Sequence, residues 1–88
     1  MTLQQLKYVI TVAETGTITE AANQLYISQP SLTNAIHELE KEMHITIFHR
    51  SNKGICLSKE GEDFLGYARQ VLEQASIIEL SLIHISEP

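Results

Sequence analysis

Between Leu3 and Met43 apolar residues recur at threes and fours in three runs, and the breaks between the runs are only a few residues wide. Leu3, Leu6, Ile10 and Ala13, widened by Val9 and Val12, make the first run an amphipathic helix from Leu3 to Thr15. Gly16 follows where a left-handed residue ends a helix. Thr17-Ile18-Thr19-Glu20 reads as a capping box, a threonine N-cap with a glutamate three residues later, and it opens a helix of about two turns carrying Ala21, Ala22 and Leu25. The paired alanines allow another helix to cross closely, a trait also compatible with any short helix of a small bundle. Ser28 is the N-cap of a third helix, with Ile27 set against Leu32 as a hydrophobic staple and Pro30 in the first turn, where its missing N–H costs nothing.

This third helix, Ser28 to Glu42, has two contrasting faces. Leu32, Ile36, Leu39 and Met43 form the stripe to be buried, while Pro30, Thr33, Asn34 and His37 recur on the opposite side. The second face carries small hydrogen-bonding groups and no acid near its N-terminus, because Glu38, Glu40 and Glu42 are confined to the last two turns. A helix whose N-terminal half enters a DNA major groove needs that arrangement, since base edges and phosphates repel carboxylates.

Beyond it, Ile45–Phe48 and Ile55–Leu57 are short strand candidates joined by His49-Arg50-Ser51-Asn52-Lys53-Gly54, with Asn-Lys-Gly as the turn signal. The two cations in the loop suit a wing resting on a sugar-phosphate backbone, although two cations in a polar loop are also ordinary. Alternation places Ile55 and Leu57 on one face and Cys56 on the other, as a surface thiol. A last helix starts at Ser58, with Glu60, Glu62 and Asp63 near its positive end. Gly61, Phe64, Ala68, Val71, Ala75, Ile78 and Leu82 then recur in alternating steps of three and four, flanked by Leu65 and Leu72, which is a coiled-coil type of seam. A helix of about 20 residues exceeds what so small a core can cover, so a second chain is expected on its far half.

Composition narrows the class. Eighty-eight residues with 43% hydrophobic content fit one small folded domain. No apolar run approaches the roughly 18 residues of a membrane span. The N-terminus lacks a signal-peptide core, and the lone Cys56 suits a reducing compartment, so the expected location is the cytoplasm without membrane attachment. No metal-ligand spacing links the histidines or the cysteine, and no cofactor is implied. The formal net charge of −5 is unusual for a nucleic-acid binder. Six of the eleven acids lie after Ser58; from Met1 to Leu57 four cations (Lys7, Lys41, Arg50, Lys53) meet five glutamates. Any phosphate contacts are therefore local and few.

Ala21-Ala22, Leu25, Ser28-Gln29-Pro30-Ser31-Leu32, Ile36, Leu39-Glu40, Phe48-His49-Arg50, Leu57-Ser58 and Gly61 together resemble, in order and spacing, the N-terminal domain of LysR-type transcriptional regulators. The resemblance covers nearly all of residues 1 to 75. It implies a mainly α fold: a winged helix-turn-helix of three helices and a short β-hairpin, followed by a long linker helix that pairs two subunits. It implies that Gln29, Pro30, Thr33 and Asn34 meet base edges, that Thr17, Ser28, Ser31, His37, Arg50 and Lys53 lie near the backbone, and that Phe64, Ala68, Val71, Ala75 and Ile78 form the dimer seam. Gln29 and Asn34 can bond adenine N6 and N7 as bidentate pairs, and Thr33 and the Pro30 ring can meet a thymine methyl. A small-molecule effector would act only through the C-terminal domain such regulators carry, which this sequence lacks.

The departures are informative. Asn34 and His37 stand where arginine is frequent in the family, Cys56 where a basic residue is usual, and His44 where a glycine ends the third helix. The groove-facing stripe thus carries no fixed charge, and affinity is expected to come from pairing two domains on a two-part site. Leu82-Ile83-His84-Ile85-Ser86-Glu87-Pro88 does not resemble the family's linker: it is β-branched, ends in Glu-Pro, and looks like a translated sequencing adaptor. The expected division is therefore a DNA-binding unit over 1–58 with recognition helix 28–42 and wing 50–54, a linker and dimerisation helix over 59–82, and a tail over 83–88. Two other functions remain: an interaction module that has lost DNA affinity and heterodimerises through the last helix, favoured by the acidic balance, and an enzyme. No spacing gathers Ser, His and acid into a nucleophile–base pair, and the chain is short for a ligand pocket, so an enzyme is not expected.

Overall fold

The computed structural model describes residues 1–86, with side chains through Leu82. The elements follow in the order α1 (Leu3–Thr15), α2 (Ile18–Leu25), α3 (Gln29–Met43), β1 (Phe48–Ser51), β2 (Gly54–Leu57) and α4 (Lys59–Ser86).

Each helix begins on a hydroxyl cap. Thr2 Oγ1 accepts the Gln5 N–H at 3.0 Å and Gln5 Oε1 accepts the Thr2 N–H at 2.9 Å, a reciprocal box that the sequence reading passed over. At Thr17 only the hydroxyl half forms, accepting from the Glu20 N–H at 3.2 Å. Ser28 Oγ accepts the Ser31 N–H at 3.2 Å to start α3. The three short helices all stop in the left-handed region, at Gly16 (φ 80°), Tyr26 (φ 57°) and His44 (φ 58°). Two of these are non-glycine residues, for which that conformation is uncommon. The chain thus turns between α1 and α2 within two residues and between α2 and α3 within three, and both helices are set against α1.

Two adjoining clusters form the core. Leu6 and Val9 of α1 meet Leu39, Ile47, Phe64 and Ala68, while Val12 meets Ala21, Ala22, Leu32 and Ile36. The paired alanines are fully buried at the α1–α2 contact, as the close crossing requires. The buried face of α1 is centred on Leu6, Val9 and Val12; Leu3, expected in the stripe, is 48% exposed.

The second strand, β2, lies where expected to within one residue, but the first differs. The sequence placed the first at Ile45–Phe48, but β1 is Phe48–Ser51, paired antiparallel to β2 with Phe48 opposite Leu57 and Arg50 opposite Ile55. Ile47 is fully buried without being in a strand. Its carbonyl accepts the Ser58 N–H at 2.9 Å, and its own N–H is taken by Glu40, so side-chain and turn contacts replace a ladder there. The hairpin is consequently shorter at its base and closes through Asn52-Lys53, with Gly54 at φ 125°. Its outer strand is tied to the α1–α2 turn by the Ile55 N–H, which donates to the Gly16 carbonyl at 3.1 Å.

Ser58, nearly buried, caps α4: its hydroxyl accepts the Gly61 N–H at 2.8 Å and donates to the Thr46 carbonyl. Gly61 is fixed by this junction, because a Cβ there would lie 2.1 Å from the Ile47 carbonyl oxygen. It is a close-approach residue and not the first position of an intersubunit seam. The helix runs to Ser86, four residues past the end expected at 82. Of the expected 83–88 tail, 83–86 are therefore helical, and Glu87 and Pro88 lie outside the described residues.

Candidate nucleic-acid interface

Burial of Leu32, Ile36 and Leu39 against α1 and α2 turns the other side of α3 outward. Gln29, Pro30, Ser31, Asn34 and His37 are exposed along it and Thr33 is half-buried. There is no acid in the first turn. Ser28 and Ser31 are engaged with each other, their hydroxyls 2.8 Å apart, so both serve the cap. The side chains of Gln29, Thr33, Asn34 and His37 make no hydrogen bond within the chain among the described residues, which leaves two amides, a hydroxyl and an imidazole free to meet a ligand.

The wing completes the surface. Arg50 leaves β1 toward α3 and lines one open concavity together with Gln29, Pro30, Thr33 and Asn34. The four expected base-contacting residues and one expected backbone contact are thus neighbours in space. A narrow crevice of about 40 Å³ runs deeper between α3 and the hairpin, with Thr33, His37, Glu40 and Arg50 among its walls. Lys53 occupies the hairpin tip instead of the concavity. Thr17 is exposed at the α1–α2 turn, but its hydroxyl is held by the α2 cap.

Charge follows the same division. Among the described residues the ion pairs are the Met1 amine with Glu42 and Arg69 with Glu14, the latter at 3.8 Å. Arg50 and Lys53 therefore have no acidic partner there and are free to neutralise phosphate. Cys56 is exposed on the outer face of β2, opposite His49. No group of three potential metal-ligating side chains gathers among the described residues, and no helix there is long and apolar enough to cross a membrane.

The expected dimer seam divides in two. Phe64 (8% exposed) and Ala68 (2%) are core residues of this chain, packed with Leu6, Val9 and Ile47, and so are withdrawn as intersubunit contacts. The first two turns of the apolar pattern in α4 cover the domain itself, a use that periodicity cannot distinguish from a seam. Val71, Ala75 and Ile78 instead line an apolar furrow on the free half of α4. Tyr67, which the sequence reading omitted, belongs to that furrow and is largely exposed.

Three residues carry roles that periodicity and composition do not reveal. Glu40, one of the acids in the last two turns of α3, bonds the backbone at the base of the wing. Ser58 and Gly61 form the junction that seats α4. The spacing Leu57-Ser58-x-x-Gly61 was the available signal, since a cap followed three residues later by a helical glycine marks a close approach.

A three-helix unit with an outward α3, a hairpin that returns to the same face and a long trailing helix defines a winged helix-turn-helix domain. The chain matches the model of the bacterial regulatory helix-turn-helix protein, lysR family, over residues 3–62, and it belongs to that family. It is 43% identical over 75 residues to the HTH-type transcriptional regulator TcbR of Pseudomonas sp. (strain P51), which covers 85% of this chain and 26% of TcbR. Among solved structures it is similar to the CbnR DNA-binding domain in complex with DNA (TM-score 0.92, 37% identity, 99% of this chain and 100% of that one). It is likewise similar to the BenM DNA-binding domain with benA site 1 DNA (TM-score 0.93, 31% identity, 98% and 100%). The chain spans about a quarter of the length of the curated relatives it matches.

Proposed function

We propose that this chain binds double-stranded DNA in a sequence-specific manner, as the DNA-binding part of a cytoplasmic transcriptional regulator. The N-terminal half of α3 enters the major groove, where Gln29 and Asn34 read adenine edges and Pro30 and Thr33 meet thymine methyls. Arg50 and Lys53 hold the flanking backbone, while Ser28, Ser31, His37 and Thr17 border it. Residues 1–58 form the reading unit. The free half of α4 pairs two copies through Val71, Ala75 and Ile78, with Tyr67 at the edge, so that two weak readers act on one two-part site.

One observation carries this reading: a cation from the wing converges on the same concavity as the unengaged amides and hydroxyl of α3. A polar helix face serving only as solvated surface has no reason to be flanked by an unpaired arginine from a separate element. The likeness to two domains solved with DNA supports the same reading. An interaction module without DNA affinity, suggested by the acidic balance, leaves that convergence unexplained.

The test replaces Gln29 and Asn34 with alanine and follows both DNA retention and mass by sedimentation. Loss of sequence-specific retention with an unchanged sedimenting mass is expected. Retention equal to that of the wild type overturns the assignment of α3.

A further inference from the structure

Three acids lie in the last two turns of α3, and one of them points back under the wing. Glu40 is half-buried, and its Oε2 accepts the N–H of Ile47 at 2.7 Å and that of Phe48 at 3.3 Å. Carboxylate acceptors make the shorter and stronger class of such bonds. The same stretch is gripped from its other side by Ser58, whose hydroxyl donates to the Thr46 carbonyl and whose N–H donates to the Ile47 carbonyl. Phe48 is the first residue of β1, and Arg50, two residues on, shares its face of the strand. Phe48, Arg50 and Glu40 line one crevice with Thr33 and His37 of α3. The wing thus leaves the core through two peptide groups anchored to the helix whose reading face it must accompany.

We propose that Glu40 is a positioning residue for DNA binding: its carboxylate sets the base of the wing against α3 and so places Arg50 beside Gln29, Thr33 and Asn34. The inference rests on the DNA-binding reading above. It gives an acid on the recognition helix a constructive part, because its oxygen is turned to backbone N–H groups and away from phosphate.

Two conservative variants separate acceptor from charge. Glu40→Gln keeps an oxygen of equal reach without the charge, whereas Glu40→Asp keeps the charge but shortens the reach by one carbon–carbon bond, about 1.5 Å. The probe is the duplex that the wild-type chain selects from a random pool, titrated over a salt series. Arg50→Ala, which removes one phosphate contact from each of the two copies, should weaken binding about sixtyfold at 0.1 M salt and flatten the slope by about 1.8. Glu40→Asp should reproduce both effects, the double variant should stay within about twofold of Arg50→Ala, and Glu40→Gln should restore binding. Amide exchange at Ile47 and Phe48 should accelerate in Glu40→Asp and not in Glu40→Gln. Losses that multiply in the double variant, or wild-type binding by Glu40→Asp, overturn the proposal. Unchanged exchange in Glu40→Asp overturns it independently of DNA, while a folded wild-type chain that selects no duplex refutes the DNA-binding reading instead.

Discussion

Alanine at Gly61 and alanine at Gly66 should move stability in opposite directions, although both sit in the first two turns of α4. Relieving a helical glycine normally gains about 0.5–1 kcal/mol, since alanine loses less backbone entropy on folding. Gly66 meets that condition: nothing lies within 4 Å of the position its Cβ would take. At Gly61 the new methyl would stand 2.1 Å from the Ile47 carbonyl oxygen and 3.1 Å from Ser58 Oγ. The oxygen is backbone and is already bonded to the Ser58 N–H at 2.9 Å, so it cannot swing aside as a side chain would. The start of α4 must move outward, loosening the Ser58 cap and the Phe64 contact with the core. Overpacking of this kind costs about 1–3 kcal/mol and the helical gain returns less than one, for a net loss of about 1–2 kcal/mol. For a domain of this size each kcal/mol shifts Tm by about 4–8 °C. Thermal unfolding followed by circular dichroism at one fixed chain concentration should show Gly61→Ala lowered by about 4–16 °C and Gly66→Ala raised by a few degrees. A Gly61→Ala midpoint at or above that of the wild type would refute the account of the α3–wing–α4 junction.

Other consequences follow from the two halves of α4 and from the sparse charge. Phe64→Ala should destabilise the folded chain by about 3–5 kcal/mol, measured by urea unfolding, because it empties a core site. Val71→Glu or Ile78→Glu should abolish dimerisation in sedimentation while leaving the helical signal unchanged, since both side chains are largely exposed. With Arg50 and Lys53 as the wing's cations, a monomeric variant such as Val71→Glu should show a salt slope of about −2 in log–log form on an operator duplex. A monomer slope steeper than about −4 would show phosphate contacts that this surface does not supply. Alanine at Asn34 should cost about 1–3 kcal/mol of discrimination at one base pair and leave non-specific binding unchanged, read by competition with mismatched duplexes.

What the sequence disclosed depended on how locally each feature is encoded. The bounds of α1 and the start of α3 were legible because apolar periodicity coincides there with cap chemistry at Gly16 and Ser28. The outward, acid-free face of α3 was legible because its burial pattern and the absence of acids from its first turn are properties of one helix alone. The first strand was misplaced by three residues, while the second was found to within one, because Ile45-Thr46-Ile47 has the composition of a strand but its peptide groups are met by Glu40 of α3 and by Ser58 at the start of α4. Composition detects an apolar, β-branched run and does not reveal what satisfies its peptide groups. The same limit explains Phe64 and Ala68: a three-four repeat specifies a helix with an apolar stripe, and only packing decides that its first turns meet Leu6 and Val9 of the same chain. Left-handed Tyr26 was not legible, since nothing in its residue type marks it as the C-cap of α2, where its N–H closes on the Ala22 and Asn23 carbonyls.

The central claim is that α3 and the wing form one DNA-reading surface. Selection of bound duplexes from a random pool, run in parallel with the wild-type chain and with Asn34→Ala, tests it most directly. The account predicts an enriched motif of two half-sites for the wild type, with adenine-bearing positions that lose their preference in the variant while the half-site spacing persists. A wild-type chain that is folded and dimeric yet enriches no sequence, or an Asn34→Ala chain that enriches the same motif with equal stringency, would contradict it.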